Sequence, residues 1–263
     1  MVLAVDIGNT TIVIGVLEGE GIKVSWNLLT DQHRLADEYG AQICELLRIY
    51  DVPRAGFEGI IISSVVPPAL REFVLMCERY FNLTPIVVSA KSDVGVDLRC
   101  DYPEEVGADR ITTTVGAHHT YGGPLIVVDF GTATTFDAVS VDGAYLGGVI
   151  APGIGISMDA LFDRTALLRR TDLLRLPKVI GKNTTDCIRS GFYYGFLEQM
   201  EGIIRRMKAE LGGEVRVIAT GGLANLIAKD SELVDAIAPE LMLKGLQIIY
   251  KRIQSTGESR GSG

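Results

Sequence analysis

Two short stretches of this sequence carry residue types that can handle a polyphosphate. One reads V-D-I-G at residues 5–8, followed by Asn9, Thr10 and Thr11. The other reads V-D-F-G at 128–131, followed by Thr132, Ala133, Thr134 and Thr135. Each comes after an aliphatic run, VLAV at 2–5 and LIVV at 125–128. Glycine lets backbone N–H groups turn tightly toward an anion, and Asn and Thr add side-chain donors. The Asp cannot meet phosphate directly, because like charges repel. It can hold a cation, or the water shell of a cation, that bridges phosphates. A single D-x-G after a strand is ordinary turn chemistry. Two copies at matched positions argue for facing loops that clamp a nucleotide and its metal in an interdomain cleft. A third glycine site, VRVIATGGLANLI at 215–227, is either an anion-facing turn or a plain helix start. Three common alternatives are absent: G-x-x-x-x-G-K-[ST], G-x-G-x-x-G and H-E-x-x-H do not occur.

The elements that position these loops repeat as well. Asp6 and Asp129 are offset by 123 residues, near half the chain. Solenoid repeats recur every ~20–50 residues, so this offset reads as a duplicated domain. Each copy opens as a three-stranded meander, with strands expected at 2–6, 11–17 and 22–28 and again at 125–129, 134–141 and 144–150. E-G-E-G at 18–21 and D-G at 142–143 are hairpin turns. Leu35, Tyr39, Ile43, Leu46, Leu47 and Tyr50 fall on one face of a helix over 34–50. GIIISSVV at 59–66 reads as a buried strand stopped by Pro67 and Pro68. Helices are expected over 69–81, 105–120, 184–211, 222–228 and 240–253, with further strands at 86–88 and 215–219. Alternating strands and helices, with hairpins beside crossovers, give an α/β class with mixed sheets.

The 263 residues and a hydrophobic share of 47% supply a core without staples. The net charge of -8 argues against a general nucleic-acid binder. No uncharged apolar run reaches the ~18–20 residues of a spanning helix, and the apolar N-terminus lacks the basic region of a signal peptide. Cys44, Cys77, Cys100 and Cys187 are scattered and read as reduced, mostly core residues. A cytoplasmic protein is expected. The expected division is 1–115, 116–255 and a flexible polar tail at 256–263.

Phosphate loops of this D-x-G-x-T kind resemble those of the ribonuclease-H-like superfamily of sugar kinases, actin and Hsp70-type ATPases, which implies two duplicated actin-like domains. A closer resemblance rests on seven stretches in one order: VDIGNTTIVIGV at 5–16, SSVVPP at 63–68, PEEVGADR at 103–110, VDFGTATTFD at 128–137, LGGVIAPG at 146–153, GKNTTDCIRSG at 181–191 and TGG at 220–222. Together they look like the type III pantothenate kinases. That resemblance implies transfer of the ATP γ-phosphoryl group to the primary hydroxyl of pantothenate, the first step of coenzyme A synthesis. It also implies a homodimer with the substrate pocket near the subunit interface, magnesium arriving with ATP, and a potassium or ammonium ion.

Site residues follow from the same resemblance. Asp6, Ile7, Gly8, Asn9, Thr10, Thr11, Ile12 and Val13 match the first ATP-phosphate loop, and Thr132 matches a further ATP contact. Asp109 matches the catalytic base. Gly107, Ala108 and Arg110 match the rest of the substrate stretch, Thr184 a pantothenate contact, and Asp129 the monovalent-cation site. Cys100 stands where the family usually has a Tyr three residues before Pro103, and Tyr102 follows two residues later. Both are carried as substrate-binding candidates.

The residues themselves suit these roles. Asp109 is expected in the first turn of a helix, whose N-terminus favours the ionised carboxylate. Arg110 can pair with a substrate carboxylate. Asp129 begins a turn whose carbonyls can complete an oxygen shell. His118 and His119 have no metal-spaced partner. FYYGF at 192–196 is expected to serve core or dimer packing, and Trp26 to pack the first meander. The basic run Arg164, Arg169, Arg170, Arg175 and Lys178 reads as a solvated face or a cleft wall. The runner-up function is an inactive regulatory protein of the same fold. Such a protein would be expected to lose G-A-D-R or the first-loop Asp, and this chain keeps both.

Overall fold

The structure is a computed structural model that describes residues 1–260. The chain divides into two units, Met1–Thr120 together with the segment from Glu240 onward, and Tyr121–Pro239. The sequence reading had the last helix closing the second half. Its apolar residues Leu243, Leu246, Ile249 and Tyr250 instead pack with Val2, Ala4 and Ile61 of the first sheet. The expected tail from 256 falls partly within this helix, which runs Leu241–Arg260, and residues 261–263 lie outside the described residues.

In the first unit, β1 (Val2–Ile7), β2 (Thr11–Glu18) and β3 (Gly21–Leu29) form the antiparallel meander. β4 (Gly59–Ser64) and β5 (Ile86–Val87) add in parallel, giving the order β3-β2-β1-β4-β5. Side chains alternate across β1 because strand periodicity is two. Leu3, Val5 and Ile7 join Tyr39, Ile43 and Leu47 of α1 (Ala36–Ile49) and Phe73 of α2 (Pro67–Met76). Val2 and Ala4 face the opposite way, toward Ala108, Ile111 and Val115 of α3 (Ala108–Tyr121) and toward the last helix. Pro67 and Pro68 occupy the first turn of α2, where a missing N–H costs nothing. The helix therefore begins two residues before the expected position. Trp26 is buried against Tyr50, with ring centroids 5.5 Å apart.

The second unit repeats the topology. β6 (Leu125–Phe130), β7 (Ala133–Val139) and β8 (Tyr145–Pro152) form its meander, and β9 (Arg216–Thr220) and β10 (Ala236–Ile237) add in parallel. The order β10-β9-β6-β7-β8 matches the first sheet, so the duplication read from the two V-D-x-G stretches holds for the whole sheet. Two elements escaped the sequence. α4 (Ile154–Asp163) opens on Gly153 with no side-chain cap, and a tertiary bond from Gly153 N–H to the Thr132 carbonyl at 3.1 Å holds its start. β10 is only two residues long, below what alternation can reveal. The remaining helices are α5 (Thr184–Leu211), α6 (Ala224–Ile227) and α7 (Leu241–Arg260).

Candidate active site

The first loop connects β1 to β2. Ile7 pairs with Ile12, so residues 8–11 form the turn, closed by Gly8 N–H donating to the Thr11 carbonyl at 3.1 Å. Ile7 and Ile12 are fully buried among apolar residues, so they can meet a ligand only through their backbone. Val13 and Thr11 are half-buried, and Asn9 and Thr10 are exposed. The turn is held from β3 as well: Thr30 N–H donates to the Thr10 carbonyl at 3.0 Å, and the Thr30 hydroxyl donates to the Gly8 carbonyl at 2.6 Å. Thr30 is a positioning residue that the sequence reading missed. Its only local signal was a hydroxyl at the end of a strand.

G-A-D-R lies at the start of α3, where Ile111 N–H donates to the Gly107 carbonyl at 3.1 Å. Asp109 folds back over Gly107. A β-carbon at Gly107 would collide with the Asp109 Oδ1, which accepts from the Arg110 N–H at 2.8 Å. The glycine thus makes room for the carboxylate. One residue ties this stretch to the first loop: Val65 N–H donates to the Ile7 carbonyl at 3.1 Å, and its Cγ1 lies 3.5 Å from where a Gly107 β-carbon would stand. The first loop and G-A-D-R therefore meet within one unit, across the residue that follows β4. Arg110 is half-buried. Cys100 is half-buried too, while Tyr102 is 63% exposed on the turn before Pro103.

Burial raises the Asp109 pKa above the ordinary carboxyl value, opposed by the Arg110 N–H and the Arg110 charge. The expectation that the helix N-terminus sets the balance toward the ionised form is therefore corrected, because desolvation is the larger effect. The shift makes Asp109 a stronger base.

The second loop is one residue tighter. Phe130 pairs with Thr134, and Gly131 N–H donates to the Ala133 carbonyl at 3.0 Å. Asp129 and Thr132 are half-buried. Gly221, at φ +90, presses against Asp129: a β-carbon there would strike the Asp129 carboxylate and would lie 2.7 Å from the Phe130 N and O. T-G-G thus belongs to the second loop's surroundings. Among the described residues no three His, Cys, Asp or Glu gather as a metal cluster. The single carboxylate of Asp129, with backbone carbonyls nearby, suits a loosely held oxygen-seeking ion rather than zinc.

Thr184 begins α5 and is exposed, and Asn183 caps the helix by accepting from the Asp186 N–H at 2.9 Å. Thr184 lies on the rim of an apolar groove of about 520 Å³ lined by Leu161, Leu168, Ile188, Phe192 and Phe196. No residue of either loop lines this groove. F-Y-Y-G-F divides by face: Tyr193 is core, while Phe192 and Phe196 stack 6.1 Å apart on the groove. In the basic run, Arg170 pairs with Asp159 and Asp163, and Arg175 with Asp230 at 2.5 Å. Of the cysteines only Cys77 is core, its thiol pushed up to about 12 by burial; Cys44 and Cys100 are half-buried and Cys187 is exposed. The cysteines were expected mostly in the core. Cys44 lies on α1 and Cys187 in the first turn of α5, each on a face outside the core.

A family profile described as Type III pantothenate kinase matches residues 2–206. The chain belongs to the type III pantothenate kinase family. A type III pantothenate kinase of Moorella thermoacetica is 47% identical over 96% of this chain and 99% of its own length. One from Roseiflexus castenholzii is also 47% identical, over 95% and 98%. Among solved structures, component A of the (R)-2-hydroxyglutaryl-CoA dehydratase of Acidaminococcus fermentans aligns with a TM-score of 0.56 at 12% identity, covering 96% and 98%. That likeness concerns the fold alone. A type III pantothenate kinase is thus built here on two mixed five-stranded sheets flanked by helices. No helix among the described residues is long and apolar enough to cross a membrane.

Proposed function

We propose that this chain catalyses ATP-dependent phosphorylation of pantothenate to 4'-phosphopantothenate, with Asp109 as base and the Asp6 loop as the first phosphate site. The observation that carries this reading is the meeting of the two motifs at Val65, within one unit. The substrate hydroxyl attacks the γ-phosphorus. The new O–P bond forms as the bond to the β,γ-bridging oxygen breaks, ADP leaves, and Asp109 takes the hydroxyl proton. The raised pKa suits that last transfer.

The backbone N–H groups of residues 8–11 and the exposed Asn9 and Thr10 offer donors to phosphate oxygens. Thr132 adds an ATP contact from the second loop. Asp6 is the carboxylate that would hold the water shell of magnesium arriving with ATP, and the ion would neutralise phosphate charge there. Asp129 holds a potassium or ammonium ion. Arg110 meets the pantothenate carboxylate, with Gly107, Ala108, Thr184, Cys100 and Tyr102 as further substrate contacts.

The working form is a homodimer in the cytoplasm. Its support is exposed apolar surface on the second unit: Leu167 is 91% and Ile180 85% exposed, and Leu168 lines the groove that Thr184 rims. Apolar surface of this kind marks a protein interface. The deciding experiment is an ADP-release assay with pantothenate beside a panel of sugars. Turnover with pantothenate alone is expected; turnover only with a sugar, or none at all, overturns the assignment.

A further inference from the structure

Ser63 is fully buried, at 0% exposure, and its hydroxyl has no hydrogen-bond partner among the described residues. It pairs with Asp6 in the parallel register of β1 and β4. Register partners in a parallel pair point to the same face, on strands about 4.8 Å apart. That face is the one on which Val2, Ala4 and Ile61 meet Ala108 and Ile111 of α3, so Ser63 shares a layer with the helix that carries Asp109.

The second unit supplies an internal comparison. There the matched Asp, Asp129, pairs with Thr220 of the parallel strand β9. The Thr220 hydroxyl donates to the Ala238 carbonyl at 2.8 Å and is used up in holding the fold. Both sheets thus set a buried hydroxyl beside the loop aspartate, but only the first leaves it without a protein partner. A buried hydroxyl without a partner costs stability, and a partner from outside the chain would offset that cost.

We infer that Ser63 is a positioning residue of the first phosphate site: its hydroxyl serves the water shell of the magnesium ion that Asp6 holds when nucleotide binds. A hydroxyl can accept one hydrogen bond from a metal-bound water while donating another to a carboxylate, and no other side chain stands beside Asp6 on β4. The inference rests on reading the Asp6 loop as the magnesium–nucleotide site.

The test measures ADP binding by calorimetry with and without magnesium, so no turnover is needed. In Ser63→Ala the tightening of ADP binding by magnesium is expected to fall about tenfold, the value of one hydrogen bond in a charged site. The magnesium-free affinity and the thermal midpoint of the free protein stay unchanged or rise. Ser63→Thr, carrying the residue that the second unit uses at the matched position, restores the magnesium effect. An undiminished magnesium effect in Ser63→Ala overturns the inference, as does a lowered midpoint of the free protein with equal losses in both affinities, since either marks a structural hydroxyl. Asp6→Asn separates the premise: if that variant also keeps the full magnesium effect, the reading of the loop fails and not Ser63 alone.

Discussion

The Thr30 hydroxyl donates to the Gly8 carbonyl at 2.6 Å, tying the end of the third strand to the turn between the first two. Gly8 itself is held by its N–H to the Thr11 carbonyl, so the turn is braced at both of its backbone polar groups. Thr30→Val keeps the shape and removes the bond. The expected loss is about 1 kcal/mol of stability, with KM for ATP raised about tenfold and KM for pantothenate unchanged. Steady-state titration of each substrate reads this directly. Equal KM values for ATP in variant and parent would show that the loop does not depend on Thr30.

Asp109 gives a prediction in which activity and stability move in opposite directions. Asp109→Asn is expected to lower turnover by about 10²–10⁴-fold, the usual worth of a positioned base. The same change should raise the thermal midpoint at neutral pH, because it removes a carboxylate that is costly to bury ionised. ADP release and a thermal melt on one preparation test both. Near-parental turnover would remove Asp109 as the base.

The pH dependence follows from the direction of the same shift. The native pKa of Asp109 is raised by burial, so the folded state holds this proton longer than the unfolded chain does. Its contribution to stability is complete below the ordinary carboxyl pKa and is lost as pH rises through the raised native value. Activity runs the other way, since the base must be deprotonated. The rate constant kcat/KM for pantothenate is expected to fall on an acid limb that lies above the ordinary carboxyl range. A profile flat down to that range would contradict the role.

Asp129 sits against Gly221 with backbone carbonyls close by. Replacing potassium by sodium at constant ionic strength is expected to lower activity about tenfold or more. Asp129→Asn should abolish the difference between the two salts. Activity indifferent to the salt in the parent protein would end the cation assignment.

Phe192 and Phe196 stack on an apolar groove rather than in the core. Phe192→Glu is expected to weaken self-association about 30-fold or more, the cost of losing a buried aromatic anchor. Light scattering at micromolar concentration would then report a monomer where the parent is a dimer. A parent that is monomeric and active would contradict the dimer.

Much of the fold was legible because it depends on local pattern. The meanders at 2–29 and 125–152 announce themselves by alternation and glycine turns, and the repeated V-D-x-G exposes the duplication. What escaped was set by partners far along the chain. α4 has no side-chain cap, and its start is held by the Thr132 carbonyl. α7 could be read as a helix, but its place on the first sheet depends on which apolar face awaits it.

The same division holds in the site. The residue types and their order determine the chemistry: two Asp-Gly loops, a G-A-D-R stretch and a family resemblance that the comparisons bear out. Only the tertiary structure decides how that chemistry is tuned. Whether Asp109 leans toward its proton depends on burial against the Arg110 charge, a balance that spacing cannot express. Likewise Thr30, Val65 and Ser63 make backbone and register contacts with residues 20 to 58 positions away. Strand pairing makes those neighbours, and the linear order of the chain does not.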